Sequence, residues 1–234
     1  SDLEKNRIWL KSAYAHNTLL VDNKDFMEYT DAWGSEYAAP ELRISPIQKA
    51  GYLVLEGAHT GYLQKGVQVL LKRMVVVLEP GVYVLADMAY TSEKHTYSRL
   101  FHFNNQGNLV CEDNRIVYNG TRAKMELVFP QENISFHRIE SKISRHYNLC
   151  EKNEAVSAEA QGEGQTAMFA VLAGKQMQPV QVSMRSVYNP VRNCALKEEY
   201  AQGLYIRTDN HEYRLIFRYK DLTGPHDLLQ MDSC

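Results

Sequence analysis

The chain has no uninterrupted apolar run of the roughly 18 residues that a membrane-spanning helix needs. Its two richest stretches, residues 75–78 and 82–86, are split by Glu79-Pro80-Gly81, which reads as the turn of a hairpin. A basic surplus is also missing. Lys and Arg number 26 against 28 Asp and Glu, the formal charge is -2, and the isoelectric point is near 6.4. Neither a membrane nor nucleic acid is therefore expected as a partner. No CxxC occurs among Cys111, Cys150, Cys194 and Cys234, which excludes the ribbon and finger types of structural zinc. Those thiols read as buried or unpaired, with one disulfide left open for an exported protein. There is no initiator Met and no charged-then-apolar leader, as in a chain whose signal peptide has been removed or in an expressed fragment. The eight histidines form no HxH, HxxxH or HExxH pair, so no complete metal site can be read locally. GxxxxGK[ST], GxGxxG and GxSxG are all missing, which argues against nucleotide binding and Ser-His-Asp hydrolysis. No long segment keeps a 3.6-residue period, so helix should be scarce.

What remains is a succession of short strand signals between turn signals, from about residue 50 onward. Residues 67–78 and 81–88 pair around Glu79-Pro80-Gly81, and residues 107–112 and 115–119 pair around Asp113-Asn114. Residues 97–104 alternate, offering Tyr97, Leu100 or Phe101, and Phe103 to a core. Further strands are expected at 123–129, 135–139, 155–160, 166–172, 180–187, 195–201, 203–207 and 212–219. The last two flank the turn Thr208-Asp209-Asn210-His211. The expected fold is all-β, a large antiparallel two-sheet sandwich with little helix, forming one domain over residues 1–234.

Three places could carry chemistry. His16 is followed by Asn17, Thr18 and an apolar run that reads as a buried strand ending in Asp22. A neutral imidazole there could ligate zinc, or could equally be a hydrogen-bonded core histidine. His95 and His102 are seven residues apart, an odd separation that puts them on opposite faces of one strand and keeps them from sharing a metal. Residues 26–39 set Tyr29, Trp33 and Tyr37 among Asp25, Glu28, Asp31 and Glu36. Aromatic rings on a polar loop suit stacking against sugar C–H faces, and an ordinary surface loop anchored by Trp33 fits as well.

Residues 9–22, WLKSAYAHNTLLVD, resemble the "HNT…VD" segment of heparinase II/III-like polysaccharide lyases. In the same order follow Gly61-Tyr62, the run LKRMVVVL at 71–78, Pro80, YVLAD at 83–87, His95-Thr96-Tyr97 and LFHF at 100–103. The resemblance covers about the first 105 residues, and its ordering is more specific than any one piece. It implies the C-terminal β-sandwich domain of an enzyme whose N-terminal α/α toroid lies across a cleft. The implied reaction is β-elimination on an acidic polysaccharide, with a base, a charge neutraliser for the uronate and a tyrosine-type acid.

By the same resemblance His16 is one ligand of a zinc ion near the cleft, while the partner ligands and catalytic groups lie upstream of the HNT segment. No catalytic residue is therefore assigned to this chain, which alone should be inactive. Trp33, Tyr37 and Arg7 are the candidate substrate contacts. The partners implied are an acidic polysaccharide and the missing toroid, and the polymeric substrate implies a periplasmic or secreted location. Heparan-type chains, alginate and other uronate polymers share this chemistry. A stand-alone carbohydrate-binding sandwich without catalysis is the alternative.

Overall fold

A computed structural model describes residues 2–36, 41–49, 51–146, 149–174, 176–219 and 229–231, with only the backbone at 42–45 and 49. Tyr37, His226 and Cys234 lie outside the described residues. A helix, α1, spans Asp2–Lys11, followed by a short 3-10 turn at Ala13–Ala15. The strands run β1 Leu19–Val21, β2 Glu41–Lys49, β3 Tyr52–His59, β4 Leu70–Glu79, β5 Val82–Tyr90, β6 Lys94–His102 and β7 Gly107–Glu112. Next come β8 Arg115–Gly120, β9 Lys124–Val128, β10 Ser135–Arg138, β11 Lys142–His146, β12 Leu149–Lys152, β13 Ala155–Glu163 and β14 Thr166–Gly174. The last are β15 Gln181–Arg185, β16 Val187–Asn189, β17 Cys194–Ala195, β18 Ala201–Arg207, β19 Glu212–Arg218 and β20 Gln230–Met231.

The expected antiparallel sandwich is present. An eight-stranded sheet, in order β2-β3-β4-β5-β14-β9-β8-β7, faces a four-stranded sheet, β1-β6-β13-β10. The structure adds a third, smaller layer. The three-stranded sheet β15-β18-β19 covers the other face of the large sheet. β5 shows why both faces need cover. Val82, Val84, Ala86 and Met88 pack with Leu204, Ile206 and Phe217 of the small sheet. Leu85 from the opposite face joins Phe101, Val156, Phe129 and Ile116 between the two large sheets. A strand buried on both sides needs apolar residues at consecutive positions, which is how β5 and β14 read.

The turns follow from local chemistry. Gly81 between β4 and β5 has φ 86°, and Asp113 between β7 and β8 has φ 45°, left-handed positions that glycine and aspartate tolerate. Thr208 closes the β18–β19 hairpin by donating its N–H to His211 O at 2.9 Å. One expected strand is corrected: of residues 195–201, Ala195 ends β17, Ala201 begins β18, and 196–200 form none. Lys197-Glu198-Glu199 offers no alternating face to bury, and Tyr200 N–H turns back to Lys197 O at 2.9 Å. Cys111, Cys150 and Cys194 are unpaired.

Phe169 tests the third layer. It is fully buried and meets the Phe217 ring at 4.8 Å between centroids. Phe169→Ala should cost about 3–5 kcal/mol of unfolding free energy, measured by urea denaturation. A loss below about 1 kcal/mol, far short of that for a packed phenylalanine, would mean that the small sheet does not pack as described.

Candidate functional site

The 16–18 segment is held from both sides by groups that the sheets supply. Asn17 Oδ1 accepts the His102 backbone N–H at 2.7 Å, and Asn17 O accepts from Arg73 Nη1 at 2.5 Å. Thr18 O accepts the Leu100 N–H at 2.8 Å, which continues into the pairing of β1 with β6. The buried strand expected after Thr18 is β1, whose three residues are all buried. Asp22 ends it in a left-handed conformation, φ 52°, clamped by its own side chain. One carboxylate oxygen accepts the Thr96 N–H at 3.0 Å and the other meets His95 Nδ1 at 2.8 Å. Burial pushes the Asp22 carboxyl upward, but the bonds from His95 and Thr96 outweigh it and hold it below the ordinary value. Tyr62 locks the same strand, since its buried hydroxyl accepts from Val21 N–H at 2.9 Å and donates to Lys24 O at 2.7 Å.

Behind this segment lies a charged cluster that inspection of the sequence did not single out. Asp87, on β5, is almost fully buried between the two large sheets. Its Oδ1 accepts from Arg73 Nε at 2.6 Å, and its Oδ2 from Arg73 Nη2 at 2.9 Å and Arg99 Nε at 2.8 Å. Burial alone would raise the Asp87 pKa, yet Arg99 and Arg73 together bring it below the usual carboxylate value. Arg99 is as buried as its partner, and its guanidinium lies 5.6 Å from the Phe101 ring centroid and 5.7 Å from that of Phe129. The signal in sequence was a lone Asp in VLADMA and a lone Arg in YSRLF, charges where the alternation wants apolar side chains.

Two clefts flank the segment. The first, about 480 Å³, is lined by Thr18, Glu56, His59, Lys72, Arg73 and Asp87 among others. Its cations are already engaged, Lys72 by Glu56 and Arg73 by Asp87. His59 Nδ1 accepts the Gly61 N–H at 3.2 Å, and its ring packs 4.5 Å from Phe26. The second cleft, about 310 Å³, lies between His16-Asn17 and the start of β11.

The structure brings Arg7 and Trp33 together. The Arg7 guanidinium lies 3.5 Å above the Trp33 ring, its Nε donating to Ala32 O at 2.9 Å, while Trp33 stays 78% exposed. Asp31 Oδ1 shapes that loop by accepting the N–H groups of Trp33 at 2.6 Å and Gly34 at 2.7 Å. Tyr37, the third candidate contact, lies outside the described residues. His16 is exposed beside His102. His95 and His102 do face apart, one toward Asp22 and the other toward Ser141 Oγ at 2.8 Å. Zinc prefers four ligands. Among the described residues no three His, Cys, Asp or Glu side chains gather to hold a metal, so His16 alone does not make a zinc site.

Residues 2–185 match the family described as "Heparinase II/III-like, C-terminal". No curated protein matches the sequence. Among solved structures, heparan sulfate lyase HepC from Pedobacter heparinus superposes with a TM-score of 0.72 at 14% identity, covering 94% of this chain and 33% of that one. A structure of heparinase III gives 0.68 at 10% identity, covering 92% of this chain and 31% of that one. Likeness at such identities establishes the fold. The chain spans about a third of the length of these structures.

His59 and His102 give the fold a pH dependence with a definite sign. Burial depresses both below the ordinary value of 6.5; the neighbouring His16 adds to the shift at His102, where backbone carbonyls of His16 and Tyr14 partly oppose it. The unfolded chain therefore binds protons first, and stability is full above about pH 6.5 and falls as pH drops toward the folded values. Urea midpoints should decline between about pH 7 and pH 5, and less steeply in His102→Gln. Equal slopes in the two proteins would show that His102 is not buried neutral.

Proposed function

Because this chain belongs to the heparinase II/III-like C-terminal family, we propose that it is the β-sandwich part of a polysaccharide lyase that cleaves a uronate-containing glycan by β-elimination. One observation carries this reading. The matched residues 2–185 hold α1, the 16–18 segment and both large sheets, the parts that build the two clefts. The structures it resembles are a heparan sulfate lyase and heparinase III, which supports an acidic glycan as substrate.

The reaction removes the proton alpha to the uronate carboxylate, forms the C4–C5 double bond and expels the glycosidic oxygen, which takes up a proton. Its difficulty is the charge that builds on the carboxylate as the carbon acid ionises, so the site must offer fixed donors or cations there. No residue of this chain is assigned as base or acid. Those groups belong to the α/α toroid proposed to lie across the cleft, and these residues alone are expected to be inactive. The sandwich supplies a rigid wall: Asn17 and Thr18 pinned to β6, and the Arg73–Asp87 pair pinned to Asn17. The exposed Trp33 face, with Arg7 stacked on the ring, suits a pyranose bearing a negative charge. His16 is proposed as one zinc ligand, with the partner ligands upstream of the HNT segment. A periplasmic or secreted location follows from a polymeric substrate.

The decisive assay follows absorbance of the unsaturated product when the protein carrying this chain meets a panel of heparan-type, alginate and other uronate polymers. A rise on one polymer establishes reaction and substrate class. Silence on all of them, with glycan binding retained, would move the function to a non-catalytic binding module. In the active protein Trp33→Ala should raise KM more than it lowers kcat, as for a ring that only binds sugar. Unaltered kinetics would return Trp33 to a structural role. His16→Ala should lower zinc content by elemental analysis, and unchanged zinc would remove His16 from the ligand set.

A further inference from the structure

The second cleft has a chemical bias that neither the family match nor the residues already discussed account for. Its rim carries His16, Asn17, Asn104 and Lys142 over Phe103 and Ile143, and no carboxylate lines it. Both rim amides have a fixed orientation. A backbone N–H can only donate, so the group it meets must be the amide oxygen. Asn17 Oδ1 accepts from His102 N–H at 2.7 Å, and Asn104 Oδ1 accepts from Gln106 N–H at 3.0 Å and from Arg145 Nη2. Each side chain therefore keeps its NH2 group for something else, and neither NH2 has a partner among the described residues. Lys142 is exposed and bonds a neutral acceptor, Asn6 Oδ1, at 2.9 Å. Among the described residues no carboxylate pairs with it.

Apart from the exposed His16 imidazole, the side-chain acceptors of the lining are sealed. Asn153, on the floor, donates Nδ2 to Phe103 O at 2.8 Å, and its oxygen is buried. The ring of His102 is tied through Nδ1 to Ser141 Oγ at 2.8 Å, with Nε2 buried. What the cleft offers outward is one ammonium, two amide NH2 groups and the His16 imidazole, over Phe103 and Ile143. Such a set complements a group with several acceptor oxygens and negative charge, attached to something with an apolar face.

We propose that this cleft, with Lys142, Asn17 and Asn104 as its donors, binds the oxyanion of an acidic sugar unit, a carboxylate or a sulfate. The assignment rests on the lyase reading for the source of the ligand, and it extends the substrate contacts to the side of the 16–18 segment away from the acid-lined first cleft. His16 is not needed for it.

The test measures binding of a heparan sulfate hexasaccharide, its fully desulfated form and a neutral hexasaccharide to the full protein carrying this chain. Lys142→Gln keeps a donor for Asn6 and removes the charge. Asn104→Asp keeps the oxygen that Gln106 needs and turns the free NH2 into an anionic oxygen. Each should weaken binding of the acidic probe by about tenfold or more, with Lys142→Arg close to wild type and the neutral probe unaffected. An effect of Lys142→Gln on both acidic probes assigns a carboxylate, and an effect on the sulfated one alone assigns a sulfate. If the wild-type protein binds the acidic probe and Lys142→Gln binds it equally well, the cleft is not a subsite, while the lyase reading stands. If the folded wild-type protein binds neither acidic probe and cleaves no uronate polymer, the lyase reading fails and the subsite with it.

Discussion

The two large sheets meet across a buried carboxylate, Asp87. Taking Asp87 out of water costs several kcal/mol unless its oxygens are fully engaged, and the structure engages both of them with two guanidiniums. One comes from β4, in the same sheet, and the other from β6, in the facing sheet. This constrains more than stability. Side chains alternate along a strand, so a slip of one residue in β5 would turn Asp87 toward Leu204 and Phe217 and leave Arg99 buried without a counterion. The pairing therefore selects one register among several that the apolar residues of β5 would tolerate. Because Arg73 also reaches Asn17 O, the same carboxylate fixes where the 16–18 segment sits.

The large sheet divides its labour between its two faces. Toward the small sheet its centre is apolar, with Val76, Val84, Phe169 and Val171 packed on Ile206, and the Arg115–Glu126 ion pair stands toward the β8–β9 side, bonded to the backbone of Val180. Toward the four-stranded sheet Asp87 and the two arginines stand between two apolar clusters, one around Phe101, Phe129 and Ile116 and the other around Leu71, Ala89, Tyr97 and Met168. The first cleft opens beside that charged band. A site with fixed polar groups is built there because the neighbouring apolar core holds the strands still, while the ion pairs set the direction of each side chain.

The hairpins were legible in sequence because their turns have a local cause. Gly81 and Asp113 supply left-handed turn positions, and Thr208 N–H closes its turn on His211 O, all within the hairpins themselves. The third layer was not legible, since consecutive apolar residues in β5 and β14 say that both faces are covered without saying by what. α1 was hidden for the opposite reason. None of its residues is buried, so it has no apolar stripe to read. It is held by contacts made far along the chain, with Arg7 and Lys11 reaching the carbonyls of Ala32 and Gly34. In the site, Asn17 and Asp22 were visible only as letters of a motif. Their roles emerge from Thr96, Leu100 and His102, more than seventy positions away, a pairing that no local pattern encodes.

The 16–18 segment separates two clefts that differ in whether their cations are already paired, and this bears on how a polyanion could lie across the domain. In the first cleft Lys72 and Arg73 are spent on Glu56 and Asp87, and Arg99 also binds Asp87. An anionic group entering there could gain a cation only by breaking an ion pair. On the other side an ammonium and two amide donors face outward with nothing to displace. The difference acts at short range, because the screening length near 8 Å at physiological salt leaves charges on the far side of the protein with little influence. A glycan with an anionic group on each repeat would therefore be ordered by this asymmetry. On the proposed reading its charges favour Lys142 and the Arg7 guanidinium stacked on Trp33, and the uncharged parts of its rings are left to pass the first cleft.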